Sequence, residues 1–211
     1  MSFLFTFIHW FIKITGYIPY LICCGSKIFF KNKKVQGRHV KGKAIIVSNH
    51  IEIWDYAAMM FAFPTRTLRC VVAEVMYDNS PLMAFFLHIL GAIKVNRDIH
   101  DFEFISKCNK ILSRGGVVNI YPEAKVNKEN NNVRAFSPST VYLALESGAP
   151  IIPVYTSGKY FKKEKNRLII GQPFYARELY NDELSQAENI TAITEKLRQT
   201  IIQLQNEIEK K

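Results

Sequence analysis

Short apolar, β-leaning runs alternate with helix-length amphipathic ones along most of this chain, and no other feature limits the fold as strongly. Candidate strands fall at residues 44–48, 67–73, 92–95, 117–121, 151–155 and 167–171, with candidate helices at 54–63, 81–90, 101–113 and 138–147. The 101–113 segment places Phe102, Ile105, Cys108 and Leu112 on one face while Lys107, Lys110 and Arg114 point elsewhere, and Gly115-Gly116 ends it. Ser137-Pro138 starts the next helix and Gly148 stops it. From Asp182 to Lys211 the chain reads as a charged amphipathic helix whose apolar face carries Ile190, Ile193, Leu197, Ile201, Leu204 and Ile208. Strands alternating with helices define an α/β class, with a mixed, mostly parallel central sheet flanked by helices. At 211 residues the expectation is one sizeable core and an appendage, divided as residues 1–40 and 41–211.

The appendage is marked by charge. Residues 1–51 hold eight basic side chains and no Asp or Glu, whereas the remaining 160 carry 20 basic against 18 acidic groups. The excess of positive charge therefore belongs to the N-terminal quarter, which is also the most apolar stretch. From Phe3 to Cys24 the one clear charge is Lys13, and the polybasic run Lys27–Lys43 follows. Such a pairing suits a segment that inserts in a bilayer and rests on anionic headgroups, where each lysine contributes on the order of 1 kcal/mol. A spanning helix needs about 20 apolar residues, and Lys13, Gly16 and Pro19 interrupt this stretch near its middle. Two short interfacial helices are expected, with Trp10, Tyr17 and Tyr20 suited to the water boundary. A cleaved signal peptide is not indicated, because no basic region precedes the apolar one. Nucleic-acid binding is not expected from a body so evenly charged.

Cys23, Cys24, Cys70 and Cys108 make no metal-ligand spacing, and buried reduced thiols are the expectation. No phosphate-cradling or dinucleotide-binding glycine pattern occurs, so no cofactor is indicated.

Chemistry-bearing residues recur at the ends of the predicted strands. After Ala44–Val47 come Asn49, His50 and, five residues on, Asp55. An imidazole is able to take up a proton near neutral pH, and a carboxylate on its other nitrogen fixes the tautomer. A second block, Gly91–Asp98, delivers Arg97, whose guanidinium suits a phosphate or carboxylate. A third runs through Tyr121-Pro122-Glu123-Ala124-Lys125, where Pro122 breaks the strand and Glu123 follows. In the fourth, Pro150 and Pro153 flank a buried strand.

In this order and spacing the four blocks, from about Ala44 to Val154, resemble the glycerolipid acyltransferase family, typified by 1-acylglycerol-3-phosphate acyltransferase. Asn49, His50 and Asp55 match the family's first motif, Asn-His followed four residues later by Asp, and Arg97 matches the second. Pro122 and Glu123 match the third, with Tyr121 in the aromatic place, and Pro150 and Pro153 match the fourth. The resemblance implies a membrane-associated O-acyltransferase of phospholipid biosynthesis, on the cytoplasmic face of a bacterial inner membrane. His50 and Asp55 would be catalytic; Asn49, Arg97, Glu123, Ala124 and Lys125 would meet substrate. Acyl-CoA or acyl carrier protein would be the co-substrate, drawn by the basic N-terminal region, and a lysophosphatidic-acid-like lysolipid the acceptor. Backbone N–H groups of the His50 loop or near Ala124 would hold the oxyanion.

The chain departs from the family in two places. The third motif continues Gly-Thr-Arg in the family and Ala124-Lys125-Val126 here, and many members have a lysine where this chain has Glu74. Both changes remove positive charge, leaving open either an acceptor less dependent on phosphate (another lysophospholipid, a lipid amino acid or an unusual alcohol) or a phosphate-binding loop in which Lys125 or Arg134 compensates. A thioesterase or lipid hydrolase using the same pair on water is a further alternative.

Overall fold

A computed structural model of the chain describes residues 3–78, 80–96, 102–127 and 132–210. Its elements run α1 (Phe3–Thr15), α2 (Tyr17–Cys23), β1 (Lys27–Phe30), β2 (Ala44–Ser48), α3 (Asp55–Ala62), β3 (Leu68–Ala73), α4 (Val75–Asp78) and α5 (Pro81–Ile89). There follow β4 (Ile93–Val95), α6 (Phe102–Leu112), β5 (Val117–Ile120), α7 (Ser139–Ser147), β6 (Ile151–Thr156), β7 (Arg167–Ile170), a short 3₁₀ turn (Ala176–Leu179) and α8 (Gln186–Glu209). The strands form one sheet in the order β1-β7-β6-β2-β5-β3-β4. β2 to β6 all run parallel, β7 runs antiparallel to β6, and β1 pairs with β7 in parallel. The C-terminal ends of five strands therefore share one edge, where an open α/β sheet presents its crevice.

Alternate residues of each central strand feed two separate cores, as a sheet covered on both faces requires. Ile45 and Val47 of β2 join Cys108 and Leu112 of α6, Val141 of α7 and Leu197 and Ile201 of α8. Ala44 and Ile46 join Tyr20 of α2 and Met59 and Phe63 around α3. Local chemistry sets the helix ends. Ser185 and Glu188 form a reciprocal capping box at the start of α8, and Gly148 adopts φ 60° to close α7. Ser80 caps α5, whose first residue is Pro81.

The N-terminal region departs from the expected division. Two helices break at Gly16 as the sequence indicates, yet Lys27–Phe30 is an edge strand of the sheet itself, so residues 27–40 belong to the main body. The polybasic run then folds over the edge where β2 and β6 begin. It forms a crevice of about 860 Å³ lined by Lys33, Lys34, Arg38 and Lys41 beside Ala44 and Pro150. A five-residue strand, about 16 Å long, separates this edge from His50, so the basic run does not flank His50.

Candidate active site

β2 ends at Ser48, and the turn that follows brings Asp55, the first residue of α3, back to His50. His50 Nδ1 lies 3.0 Å from Asp55 Oδ2. The same oxygen accepts from the N–H groups of Ile51 at 2.7 Å and Glu52 at 2.9 Å. Asp55 is fully buried, while 18% of the His50 side chain reaches solvent. An ionised carboxylate is acceptor-only, so Nδ1 carries the proton and Nε2 keeps its lone pair for substrate. The imidazole stacks on Tyr121, centroids 4.4 Å apart and 20° from coplanar, which fixes its plane.

Asp55 Oδ1 accepts a 2.7 Å hydrogen bond from the buried Tyr160 hydroxyl. Burial holds the Tyr160 phenol well above its ordinary range, so it stays protonated and donates. The sequence gives only a faint sign of this partner: Tyr160 stands 105 residues away on the connection between β6 and β7. An aromatic shortly after the proline-flanked strand was the one available signal.

Glu123 braces the His50 loop through backbone. Its Oε1 accepts from the His50 N–H at 3.1 Å, and its Oε2 accepts from Arg134 N–H at 3.2 Å and the Asn127 amide at 3.4 Å. Asn127 N–H returns a 2.7 Å bond to the His50 carbonyl. Burial raises the Glu123 carboxyl above its ordinary value, and those donors oppose the rise. Asn49 is likewise turned inward: its amide donates to Thr156 O at 2.9 Å and its carbonyl accepts from Thr156 N–H at 2.9 Å. The sequence reading puts Asn49 and Glu123 on substrate; the structure commits both to tying the His50 loop to neighbouring segments.

Ala124 sits beside Glu123 at φ 61°, in the left-handed region that glycine occupies freely, and Lys125 is exposed at the same edge. Arg97 lies outside the described residues. Glu74, at the end of β3, is paired: Lys94 Nζ is 2.5 Å from Oε1, and the Asn96 amide donates to Oε2 at 2.8 Å. The N–H groups expected to hold an oxyanion are otherwise engaged. Those of His50, Ile51 and Glu52 serve Glu123 and Asp55, and that of Ala124 donates to Tyr121 O.

A fully buried carboxylate holding a partly exposed imidazole, with no serine or cysteine bonded to that imidazole among the described residues, suits general-base chemistry. The chain belongs to the acyltransferase family, whose model matches residues 27–157. It is 31% identical over 129 residues, 59% of its length, to the 1-acyl-sn-glycerol-3-phosphate acyltransferase of Bacillus subtilis (strain 168), matching 62% of that protein. It is 27% identical over 125 residues, 58% of its length, to 1-acyl-sn-glycerol-3-phosphate acyltransferase beta of Homo sapiens, matching 45% of that protein. The chain thus spans less than two thirds of either relative. Among solved structures, the 1-acyl-sn-glycerophosphate (LPA) acyltransferase PlsC from Thermotoga maritima superimposes with a TM-score of 0.67 at 16% identity, covering 95% of this chain and 81% of that one. That likeness is one of fold.

Proposed function

We propose that the protein is a bilayer-associated O-acyltransferase that moves a fatty acyl group from a thioester donor to the free hydroxyl of a lysophosphatidic-acid-like acceptor. The observation that carries this reading is the fully buried Asp55 carboxylate 3.0 Å from Nδ1 of a partly exposed His50. Nε2 takes the proton of the acceptor hydroxyl as its oxygen attacks the thioester carbonyl carbon. The new C–O bond forms, the tetrahedral centre collapses, the C–S bond breaks, and the imidazolium returns its proton to the departing thiolate. Asp55 stabilises the imidazolium throughout. Lys125 and Arg134, both exposed on the segments after β5, supply cations for the acceptor's phosphate, and Arg97 is given the same part from its place in the sequence alone.

Bilayer association is supported by helices that are inverted relative to a soluble surface. Phe3, Phe7, Phe11, Ile14, Ile18 and Ile22 are all exposed, spaced by threes and fours across α1 and α2. His9 and Lys13 are buried on the opposite side, Lys13 Nζ donating to the carbonyls of Phe63 at 2.8 Å and Pro64 at 3.2 Å. Leu82, Phe85 and Phe86 of α5 are exposed as well. Among the described residues no helix is long and apolar enough to cross a membrane, so the apolar faces fit a monotopic seat in one leaflet.

The test is acyl transfer in anionic vesicles, with lysophosphatidic acid compared against a zwitterionic lysophospholipid as acceptor. Product from lysophosphatidic acid, absent in His50→Ala, is the expected result. Transfer to the zwitterionic acceptor alone would overturn the acceptor assignment, and label released as free fatty acid without any acceptor would overturn the transferase reading.

A further inference from the structure

The family's pairing of a histidine with an aspartate leaves one oxygen of that aspartate unaccounted for. In this chain Asp55 Oδ2 already receives His50 and two backbone N–H groups, and Oδ1 receives Tyr160. We propose that Tyr160 is a positioning residue for the catalytic pair: its hydroxyl holds the Asp55 carboxylate in the rotation that presents Oδ2 to His50. The inference rests on the general-base reading above.

Three features argue that the contact is built rather than incidental. First, both groups are buried and the bond is short, so no water competes for Oδ1. Second, the segment carrying Tyr160 is fixed along its length. Asn166 Oδ1 accepts from Thr156 Oγ1, Ser157 Oγ and the Lys159 N–H, while Asn49 clamps Thr156 through its backbone. Gly158, at φ 64°, packs so closely on Ile51 that a β-carbon there would lie 2.5 Å from Ile51 Cγ2. Thus the loop touches the residue whose N–H supports Asp55 and also supplies the opposite oxygen with its donor. Third, the next residue turns the chain the other way. Phe161 adopts φ 55°, places its ring edge-on to Trp54 at 4.9 Å, and donates its N–H to the Cys23 carbonyl at the end of α2. A non-glycine residue in that region carries strain, and such strain persists where surrounding structure over-determines the backbone. Here it lets Tyr160 point inward while Phe161 holds the outer side against the N-terminal helices.

Losing the phenolic donor would leave Asp55 Oδ1 without a partner and its charge less shared, strengthening its pull on the protonated imidazole. Among the described residues, Glu123 from the β5 side and Tyr121 beneath the ring are titratable groups in contact with His50, and Glu52 lies in the same turn; none of them is altered by a change at Tyr160. For Tyr160→Phe we expect kcat to fall roughly 10- to 100-fold, the worth of one hydrogen bond to a charged group, with KM little changed. The acid limb of the kcat/KM profile should move to higher pH. Substituting 3-fluorotyrosine at position 160 preserves shape and strengthens the donor, and should move that limb the opposite way. Proton NMR of the His50 Nδ1–H in the intact protein gives a readout that needs no turnover: its resonance should shift in Tyr160→Phe even if the acceptor assignment fails. Wild-type kcat in Tyr160→Phe, or activity lost only in step with thermal stability while limb and resonance stay put, would overturn the proposal. So would an unmoved limb with 3-fluorotyrosine.

Discussion

Ala124 bears the strain of a position that suits glycine. Left-handed backbone costs an L-residue about 1–2 kcal/mol, partly offset because glycine loses more chain entropy on folding. Ala124→Gly, at φ 61° in the structure, should therefore stabilise the fold by about 0.5–1 kcal/mol, read from denaturant unfolding. His9 makes a pH-dependent contribution. Burial, reinforced by Lys13 and Arg69, lowers it from 6.5 to about 4, and neither ring nitrogen has a hydrogen-bond partner among the described residues. Between those values the unfolded chain binds the extra proton, so stability falls as pH drops from 6.5 towards 4, by about 3 kcal/mol at the limit. His9→Phe should flatten that part of the stability curve; an unchanged slope would place the acid sensitivity elsewhere. Much of the site was legible at this scale. His50 and Asp55 lie five residues apart in one turn, so their meeting is a local matter that spacing reveals. Tyr160 meets Asp55 across 105 residues, through a loop whose path depends on the packed sheet. Asn49 and Glu123 were legible as important residues but not as braces, because the backbone groups they hold carry no sequence mark.

At the level of elements, the strand–helix alternation placed the core well, because hydrophobic periodicity and capping residues act locally. β1 is not legible in the sequence: Lys27-Ile28-Phe29-Phe30 lies inside a basic stretch, and its pairing with Arg167–Ile170 closes a loop of more than a hundred residues. The β6–β7 connection is the element on which the site depends most. Gly158→Ala would drive a β-carbon into Ile51 at an unfavourable φ, costing about 1–3 kcal/mol. Because Ile51 N–H supports Asp55, acyl transfer should fall by more than stability alone explains. Equal losses in both would mean that the loop only packs.

For the whole molecule, the proposed bilayer association rests on the exposed apolar stripe of α1 and α2. Replacing Ile18 and Ile22, both exposed on α2, by glutamate should abolish co-flotation with anionic vesicles and leave the unfolding midpoint unchanged. Retained flotation would mean that another surface makes the contact. In the proposed mechanism the general base is the His50 imidazole oriented by Asp55, at the opposite end of β2 from the basic run. Steady-state acyl transfer by Asp55→Asn, beside wild type and with fatty-acid release monitored, tests this most directly. The expected result is a fall of about 10²–10⁴-fold in kcat from a folded protein. Transfer at the wild-type rate would overturn the general-base role of the pair.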